Sequence, residues 1–180
     1  MSVVKLAKRY ATGLWEYALS LNEGEAIVKE MHSLTDLIRQ SKDLQFFLKS
    51  PIIETPKKVQ IINEIFKSFS PTSRNFITLV VKHKRENDLL EIAQQVLELY
   101  DKYNGIQRVE IVSTFLLDKE TTSQILNTYP KINQEKAIIE NKIDESLIGG
   151  YILRIDDQQI DASVKSELNN IQKKLSNKIF

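Results

Sequence analysis

The first hundred residues place apolar side chains at the spacing of amphipathic helices. In the first segment they recur every three or four positions, at Val3, Ala7, Tyr10, Leu14, Tyr17 and Leu21. Five further segments repeat this spacing, and Asn104-Gly105 predicts the end of the last one. The pattern therefore predicts a six-helix bundle over residues 1–104.

Short polar motifs predict where several of these helices begin. Asn22 followed by Glu25 resembles a capping box at the start of the second helix. Ser41 can cap the third helix, because a serine oxygen accepts a hydrogen bond from a free N–H of the first turn. Thr55-Pro56 and Ser70-Pro71 each combine a cap with proline at the first helical position, and predict the starts of the fourth and fifth helices.

The apolar spacing changes after Gly105. Residues 108–113 alternate between polar and apolar, as in a half-buried strand, and residues 136–143 form a second candidate strand. Asp118 can cap a helix between them. A last helix places one apolar stripe on its surface, at Val164, Leu168, Ile171 and Leu175. Residues 105–180 are predicted as a β-α-β-β-β-α domain, so the chain is predicted to be mainly α with a small α+β part, divided near residues 102–107.

The stretch from Asp144 to Ser163 contains a Gly-Gly pair and several acidic residues, so we first consider it as a phosphate-binding or calcium-binding loop. A phosphate loop needs its glycines to open a helix, whereas Gly149-Gly150 precedes a run of β-forming residues. A calcium loop beginning at Asp156 fails, because Ile160 occupies a ligand position and Asp161 stands where glycine is required. We therefore expect a kink, a hairpin that turns at Asp156-Asp157, and a helix cap at residues 161–163.

Composition excludes several functions. The 180 residues are 42% hydrophobic and 27% charged with a net charge of +1, so no long-range field attracts nucleic acid or anionic lipid. Absence of cysteine excludes disulfides and iron–sulfur clusters, and His32 and His83 without cysteine make a zinc site unlikely. No catalytic motif is present, and no metal or cofactor is predicted. The longest nearly apolar run, residues 76–81, is too short for a bilayer, so we expect a soluble intracellular protein.

The first and fifth helices carry more apolar surface than one neighbour can cover. On the first helix one side is expected to face the bundle core, with Val4, Ala7, Ala11 and Leu14. Gly13 lies mid-helix, where glycine costs about 1 kcal/mol relative to alanine, so another backbone is a candidate for close approach there. Deep burial and a docking groove for a foreign helix both remain open, and the pattern alone favours burial.

Several short motifs together resemble one family. They are Arg9-Tyr10-Ala11 followed by residues 14–18 (LWEYA), Leu48-Lys49-Ser50-Pro51, residues 147–150 (LIGG), and Asp161-Ala162-Ser163. In this order they resemble the delta subunit of F-type ATP synthase, a relative of the mitochondrial oligomycin-sensitivity conferral protein. The resemblance covers the whole chain. It departs at Gly13, where alanine is more usual, and at Asp156-Asp157, where many relatives carry glycine or asparagine.

The resemblance implies a non-catalytic stator subunit, one copy per complex, without a cofactor. The N-terminal part would bind the N-terminal helix of an alpha subunit of the catalytic head, and the C-terminal part the peripheral-stalk b subunits. Association with the membrane would be indirect, at the cytoplasmic face of the bacterial inner membrane. In the family the first and fifth helices form the groove for the alpha helix, which favours a groove over burial alone. We expect its walls to carry Leu6, Tyr10, Gly13 and Tyr17 on one side and Asn75 and Leu79 on the other.

Other classes remain open at this point. A helical adaptor unrelated to ATP synthase would share the apolar groove. A nucleic-acid-binding module would need a basic face, and residues 82–85 (KHKR) read better as a solvated helix end. An enzyme would need a cleft with convergent polar groups.

Overall fold

A computed structural model describes residues 3–130, 132–133, 136–155 and 158–176. For residues 174–176 it describes the backbone but not the side chains. It divides the chain into two compact units, Met1–Tyr103 and Asn104–Phe180. The predicted turn at Asp156-Asp157 lies outside the described residues, and so does the side chain of Leu175. Among the described helices, none is long and apolar enough to cross a bilayer.

The first unit is built from helices that bury one apolar face each. They are α1 (Val3–Ser20), α2 (Gly24–Gln40), α3 (Lys42–Lys49), α4 (Thr55–Ile65), α5 (Pro71–Lys82) and α6 (Leu89–Asn104), with a short 3-10 helix at Glu86–Asp88. Their largest fully buried side chains form a single core with Ile27, Met31, Leu34, Ile62, Phe66, Ile77, Leu89 and Ile92. Burial of each of these side chains stabilises the unit by about 1.5–3 kcal/mol.

Local capping chemistry explains where α3 and α5 begin. Ser41 and Ser70 act as predicted: each side-chain oxygen accepts a hydrogen bond at 3.2 Å from the backbone N–H three residues later. The prediction for Thr55 is wrong by one residue, because Thr55 is already the first residue of α4 and Glu54 precedes it without a side-chain cap.

The capping box predicted at Asn22 is also wrong. Asn22 adopts the left-handed conformation, with φ of 56°, and ends α1. Its N–H donates to the carbonyl of Leu19 at 3.1 Å, and the N–H of Glu23 donates to that of Ala18 at 3.0 Å. These two bonds form a Schellman ending, which asparagine supports because it tolerates positive φ better than most residues.

The second unit is a four-stranded mixed sheet with two helices. Its elements are β1 (Gln107–Ser113), α7 (Lys119–Asn127), β2 (Ala137–Ile143), β3 (Gly150–Ile155), β4 (Gln158–Ser163) and α8 (Val164–Ser176). The strand order is β2-β1-β3-β4, in which β1 and β2 are parallel and the other pairs antiparallel. The core is apolar, with Val109, Ile111, Ile125, Leu126, Ile132 and Leu153. The prediction of a mainly helical chain with a small α+β part is confirmed.

The stretch before α8 has the predicted kink and cap. Gly150 has φ of 78°, and a Cβ atom added there would lie 2.3 Å from the carbonyl oxygen of Ala162, so only glycine fits. The hydroxyl of Ser163 accepts a hydrogen bond from the N–H of Ser166 at 3.2 Å, and thereby caps α8. The Asp118 cap of α7 is likewise confirmed by a 2.7 Å hydrogen bond from the N–H of Thr121.

Two polar clusters stabilise the sheet. On one face the carboxylate of Glu110 accepts hydrogen bonds from Lys142 and, at 2.6 Å, from Arg154. The hydrogen bond from Lys142 is the main reason why the pKa of Glu110 lies below its ordinary value. On the other face the hydroxyls of Tyr129 and Tyr151 are 3.2 Å apart, and burial raises the pKa of Tyr151 to about 12. All these groups lie on strands or next to them, and their hydrogen bonds stabilise the sheet.

Candidate partner-binding groove

An open apolar groove of about 530 Å³ lies between α1 and α5. At one end the hydroxyl of Tyr10 lies 3.0 Å from Nδ1 of His83, the residue that follows α5. At the other end the hydroxyl of Thr72 donates to the carboxylate of Glu23 at 2.7 Å. The two helices therefore run antiparallel along the groove. Its lining consists of Arg9, Tyr10, Gly13, Leu14 and Tyr17, and of Thr72, Asn75, Phe76, Leu79 and His83.

The floor of the groove is open at Gly13. A Cβ atom added at this position would meet no atom of the described residues within 4 Å, apart from its own helix backbone and chain neighbours. Leu14 and Phe76 lie on either side, and both pack against the core of the first unit. The space above Gly13 is therefore large enough for atoms of another molecule to approach the backbone of α1.

Apolar side chains on both walls remain in contact with solvent. Tyr17 on α1 is 56% exposed and Leu79 on α5 is 45% exposed. Both face a concave surface, unlike an isolated apolar residue on a convex one. A concave apolar surface between two helices fits a third amphipathic helix.

Five of the six sequence-predicted groove residues line this groove: Tyr10, Gly13, Tyr17, Asn75 and Leu79. Leu6 does not, because it is only 6% exposed and the lining on α1 begins one turn later, at Arg9. The expectation that Val4 faces the core is wrong: Val4 is 55% exposed, and the core side of α1 begins at Ala7.

Sequence reasoning missed the polar residues at the two ends of the groove. His83 lies at an exposed helix end, as expected, but it also lines the groove, and its Nδ1 lies 3.0 Å from the hydroxyl of Tyr10. It lies one residue beyond α5, where a left-handed Lys84 ends the helix, so helical periodicity does not predict its direction. Thr72 lies in the first turn of α5, and its contact with Glu23 depends on tertiary structure.

A second cleft in the first unit is polar and contains a buried ion pair. The ammonium of Lys58, 3% exposed, lies 2.5 Å from Oε1 of Glu86 and donates to the carbonyl of Leu48 at 3.2 Å. Glu86 is 9% exposed, and its Oε2 has no hydrogen-bond partner among the described residues. The pair joins the end of α3, α4 and the 3-10 helix, so its evident role is structural.

The described residues offer no site for a metal ion built from three or more His, Cys, Asp or Glu side chains. The groove itself presents mainly apolar walls, with Asn75 on the α5 wall and further polar groups at its ends. Such a surface is suited to binding a helix by burial of apolar area.

Comparison with known proteins identifies a family with a similar sequence. The model of the ATP synthase delta (OSCP) subunit family matches residues 6–175, a span that includes every groove residue named above. The chain is 30% identical over 177 residues to an ATP synthase subunit delta of Flavobacterium psychrophilum, covering 98% of this chain and 100% of the relative. It is 31% identical over 176 residues to that of Lysinibacillus sphaericus, covering 97% and 99%.

A solved structure shares the fold. The chain resembles one chain of the Toxoplasma gondii mitochondrial ATP synthase hexamer, with a TM-score of 0.75 and 21% sequence identity, over 94% of this chain and 97% of that one. The similarity to the family model covers nearly the whole sequence, from α1 into α8. The chain therefore belongs to the ATP synthase delta (OSCP) subunit family, and it is a non-catalytic component of the peripheral stalk of ATP synthase.

Proposed function

We propose that this chain joins the catalytic head of ATP synthase to its peripheral stalk. Residues 1–104, the six-helix part, bind the N-terminal helix of an alpha subunit in the groove between α1 and α5. Residues 105–180 hold the b subunits. One copy acts in each complex, at the cytoplasmic face of a bacterial inner membrane, and prevents the head from turning with the central rotor.

The groove between α1 and α5 is the observation that carries this proposal. From Arg9 to Tyr17 α1 advances about 12 Å, and from Thr72 to His83 α5 with its end advances about 17 Å, at about 1.5 Å per residue. The groove therefore has the length of two to three turns of a bound helix. Apolar anchors on such a helix would recur every three or four residues and face the two walls.

The exposed apolar side chains of the groove allow an estimate of the binding free energy that a bound helix would gain by covering them. Tyr17 is 56% exposed, and an aromatic side chain buries about 150–250 Å² when fully covered. Burial of the remaining half would contribute about 2 kcal/mol, which is roughly thirtyfold in affinity. Leu79, which is 45% exposed, would contribute about 1 kcal/mol, or roughly fivefold.

The second unit offers an apolar stripe that supports stalk binding. Val164, Leu168 and Ile171 are all exposed and recur on one face of α8. Residues four and three positions apart lie together on a helix surface, so these side chains form a continuous ridge. A ridge of this kind can pack into the groove of another helix. In the proposed complex, that helix belongs to a b subunit of the stalk.

The test uses the full-length chain and a synthetic peptide of the N-terminal helix of the alpha subunit. Gly13→Ile inserts a branched side chain into the open space of the groove, where the free protein offers no clash at Cβ. We expect circular dichroism and thermal unfolding near those of the parent, with peptide affinity reduced at least tenfold by calorimetry. Lys8→Ile, on an exposed position of α1 outside the groove, is the control and retains affinity.

A second pair of variants separates the groove from general surface hydrophobicity. Leu79→Ala is expected to weaken the peptide roughly fivefold. Leu37 on α2 is 42% exposed, close to the 45% of Leu79, but it does not line the groove. Leu37→Ala should therefore leave the affinity unchanged. Unaltered binding by folded Gly13→Ile and Leu79→Ala variants would refute the groove as the alpha-subunit site.

A further inference from the structure

The two ends of the groove carry opposite charge. Arg9 and His83 lie at one end, where the guanidinium carbon of Arg9 is 5.9 Å from the ring centroid of Tyr10 and Tyr10 contacts His83. Glu23 lies at the other end, held by its hydrogen bond from Thr72. The apolar walls separate these charged ends by about 12 Å or more, the axial length of eight helical residues.

Neighbouring charges strengthen this asymmetry. Lys82 and Lys84 flank His83 and are both exposed, which adds positive charge at the Arg9 end. Arg74 lies near the opposite end in the chain, but it follows Thr72 by two residues and so points about 200° away around α5. Its cation is therefore directed away from the groove. The carboxylate of Glu23 lies at that end, and the carboxylate of Glu30, bound to the α5 cap Ser70, adds a further negative charge near it.

We infer that the groove selects its helix by charge and fixes the direction in which it binds. An acidic side chain of the bound helix lies beside Arg9 and His83, and a basic side chain lies beside Glu23. Helices favour acidic residues in the first turn and basic residues in the last turn, because these charges complement the helix dipole. The amino-terminal turn of the partner therefore lies at the Arg9 end, so the bound helix runs parallel to α1 and antiparallel to α5.

This inference rests on the proposed function, since it assumes that the groove binds the alpha-subunit helix. The chain contains no cysteine, so a single spin label can be confined to the peptide. A peptide labelled at its amino terminus should broaden the backbone amide NMR signals of Arg9 and His83 in the full-length protein. The same peptide labelled at its carboxyl terminus should broaden those of Tyr17 and Thr72.

Charge reversal provides an independent readout. Arg9→Glu should weaken the peptide about threefold to tenfold at low salt, with the loss shrinking as salt is added. Lys8→Glu makes the same change of net charge at the adjacent exposed position, outside the groove lining, and should have a much smaller effect. Equal losses from the two variants would show that only net charge matters, and would overturn the role assigned to Arg9.

The outcomes distinguish the two proposals. Broadening in the reverse order, or equally at both ends for each label, overturns the fixed direction while leaving the groove as the binding site. Failure of the peptide to bind the parent chain overturns the proposed function, and the inferred direction falls with it. Signals broadened in the expected order, together with a selective loss for Arg9→Glu, support both.

Discussion

Removal of one partner from the buried pair of Lys58 and Glu86 should strongly destabilise the first unit. Lys58→Met keeps most of the side-chain volume and removes the ammonium group. Glu86 would then retain a buried carboxylate. Among the described residues its Oε2 already lacks a partner, and its Oε1 would lose the Lys58 ammonium that now lies 2.5 Å away. The carbonyl of Leu48 would also lose the N–H donor that now lies 3.2 Å away.

The size of the loss follows from this geometry. Removal of one partner from a buried ion pair costs about 3–5 kcal/mol, because an uncompensated charge remains inside the protein. We therefore expect Lys58→Met to lower the free energy of unfolding by about 3 kcal/mol or more. The double variant Lys58→Met with Glu86→Gln removes both charges and should recover much of that loss.

Urea unfolding of the full-length chain measures this difference. Trp15 is 7% exposed within the first unit, so its fluorescence reports unfolding there. Arg85→Gln is the control, because Arg85 pairs with Asp88 at 3.8 Å and its side chain is half exposed. That variant should lose less than about 1 kcal/mol. A loss equally small for Lys58→Met, or a double variant as unstable as the sum of both single ones, would refute the reasoning.

Three further predictions concern the second unit, and each is measured by urea unfolding followed through the strand amide NMR signals. Gly150→Ala should cost about 2 kcal/mol or more, since its Cβ would lie 2.3 Å from a backbone oxygen. Gly105→Ala should cost only about 1 kcal/mol, because Gly105 also has a positive φ, of 65°, but its Cβ would lie 3.7 Å from a flexible side-chain atom of Lys136. Ser163→Ala removes the cap of α8 and should cost about 1 kcal/mol, whereas an unchanged midpoint would contradict that role. The lowered pKa of Glu110, caused first by its hydrogen bond from Lys142, contributes stability above its ordinary value of 4.5 that is lost as pH falls through the folded-state pKa, so Glu110→Gln should flatten the acid limb of the stability profile.

Sequence reasoning worked best where the relevant chemistry is local. Ser41, Ser70 and Asp118 are caps because each oxygen bonds to an N–H only three residues away. Asn22 was misassigned because asparagine favours both helix starts and left-handed helix ends, and the neighbouring residues do not distinguish the two. The start of α4 was misplaced by one residue, because the sequence around Thr55-Pro56 does not show whether Thr55 precedes the helix or begins it.

The groove was only partly accessible from the sequence. Periodicity shows that α1 has more apolar surface than its core side needs, which draws attention to Tyr10, Gly13 and Tyr17, and these three residues line the groove. The choice of α5 as the opposite wall came from the family resemblance, since no local pattern indicates which helices become neighbours. Glu23 and His83 were missed because their contacts with the groove arise from tertiary structure.

The topology of the sheet has a consequence for synthesis of the chain. β1 is a central strand, and both strands that pair with it, β2 and β3, follow it in the sequence. On the ribosome β1 thus emerges without either neighbour and cannot complete its hydrogen bonds until residue 155 has been released. The helices of the first unit have their core partners within residues 7–96 and can assemble earlier. A nascent chain would therefore present a finished groove between α1 and α5 while the second unit is still incomplete.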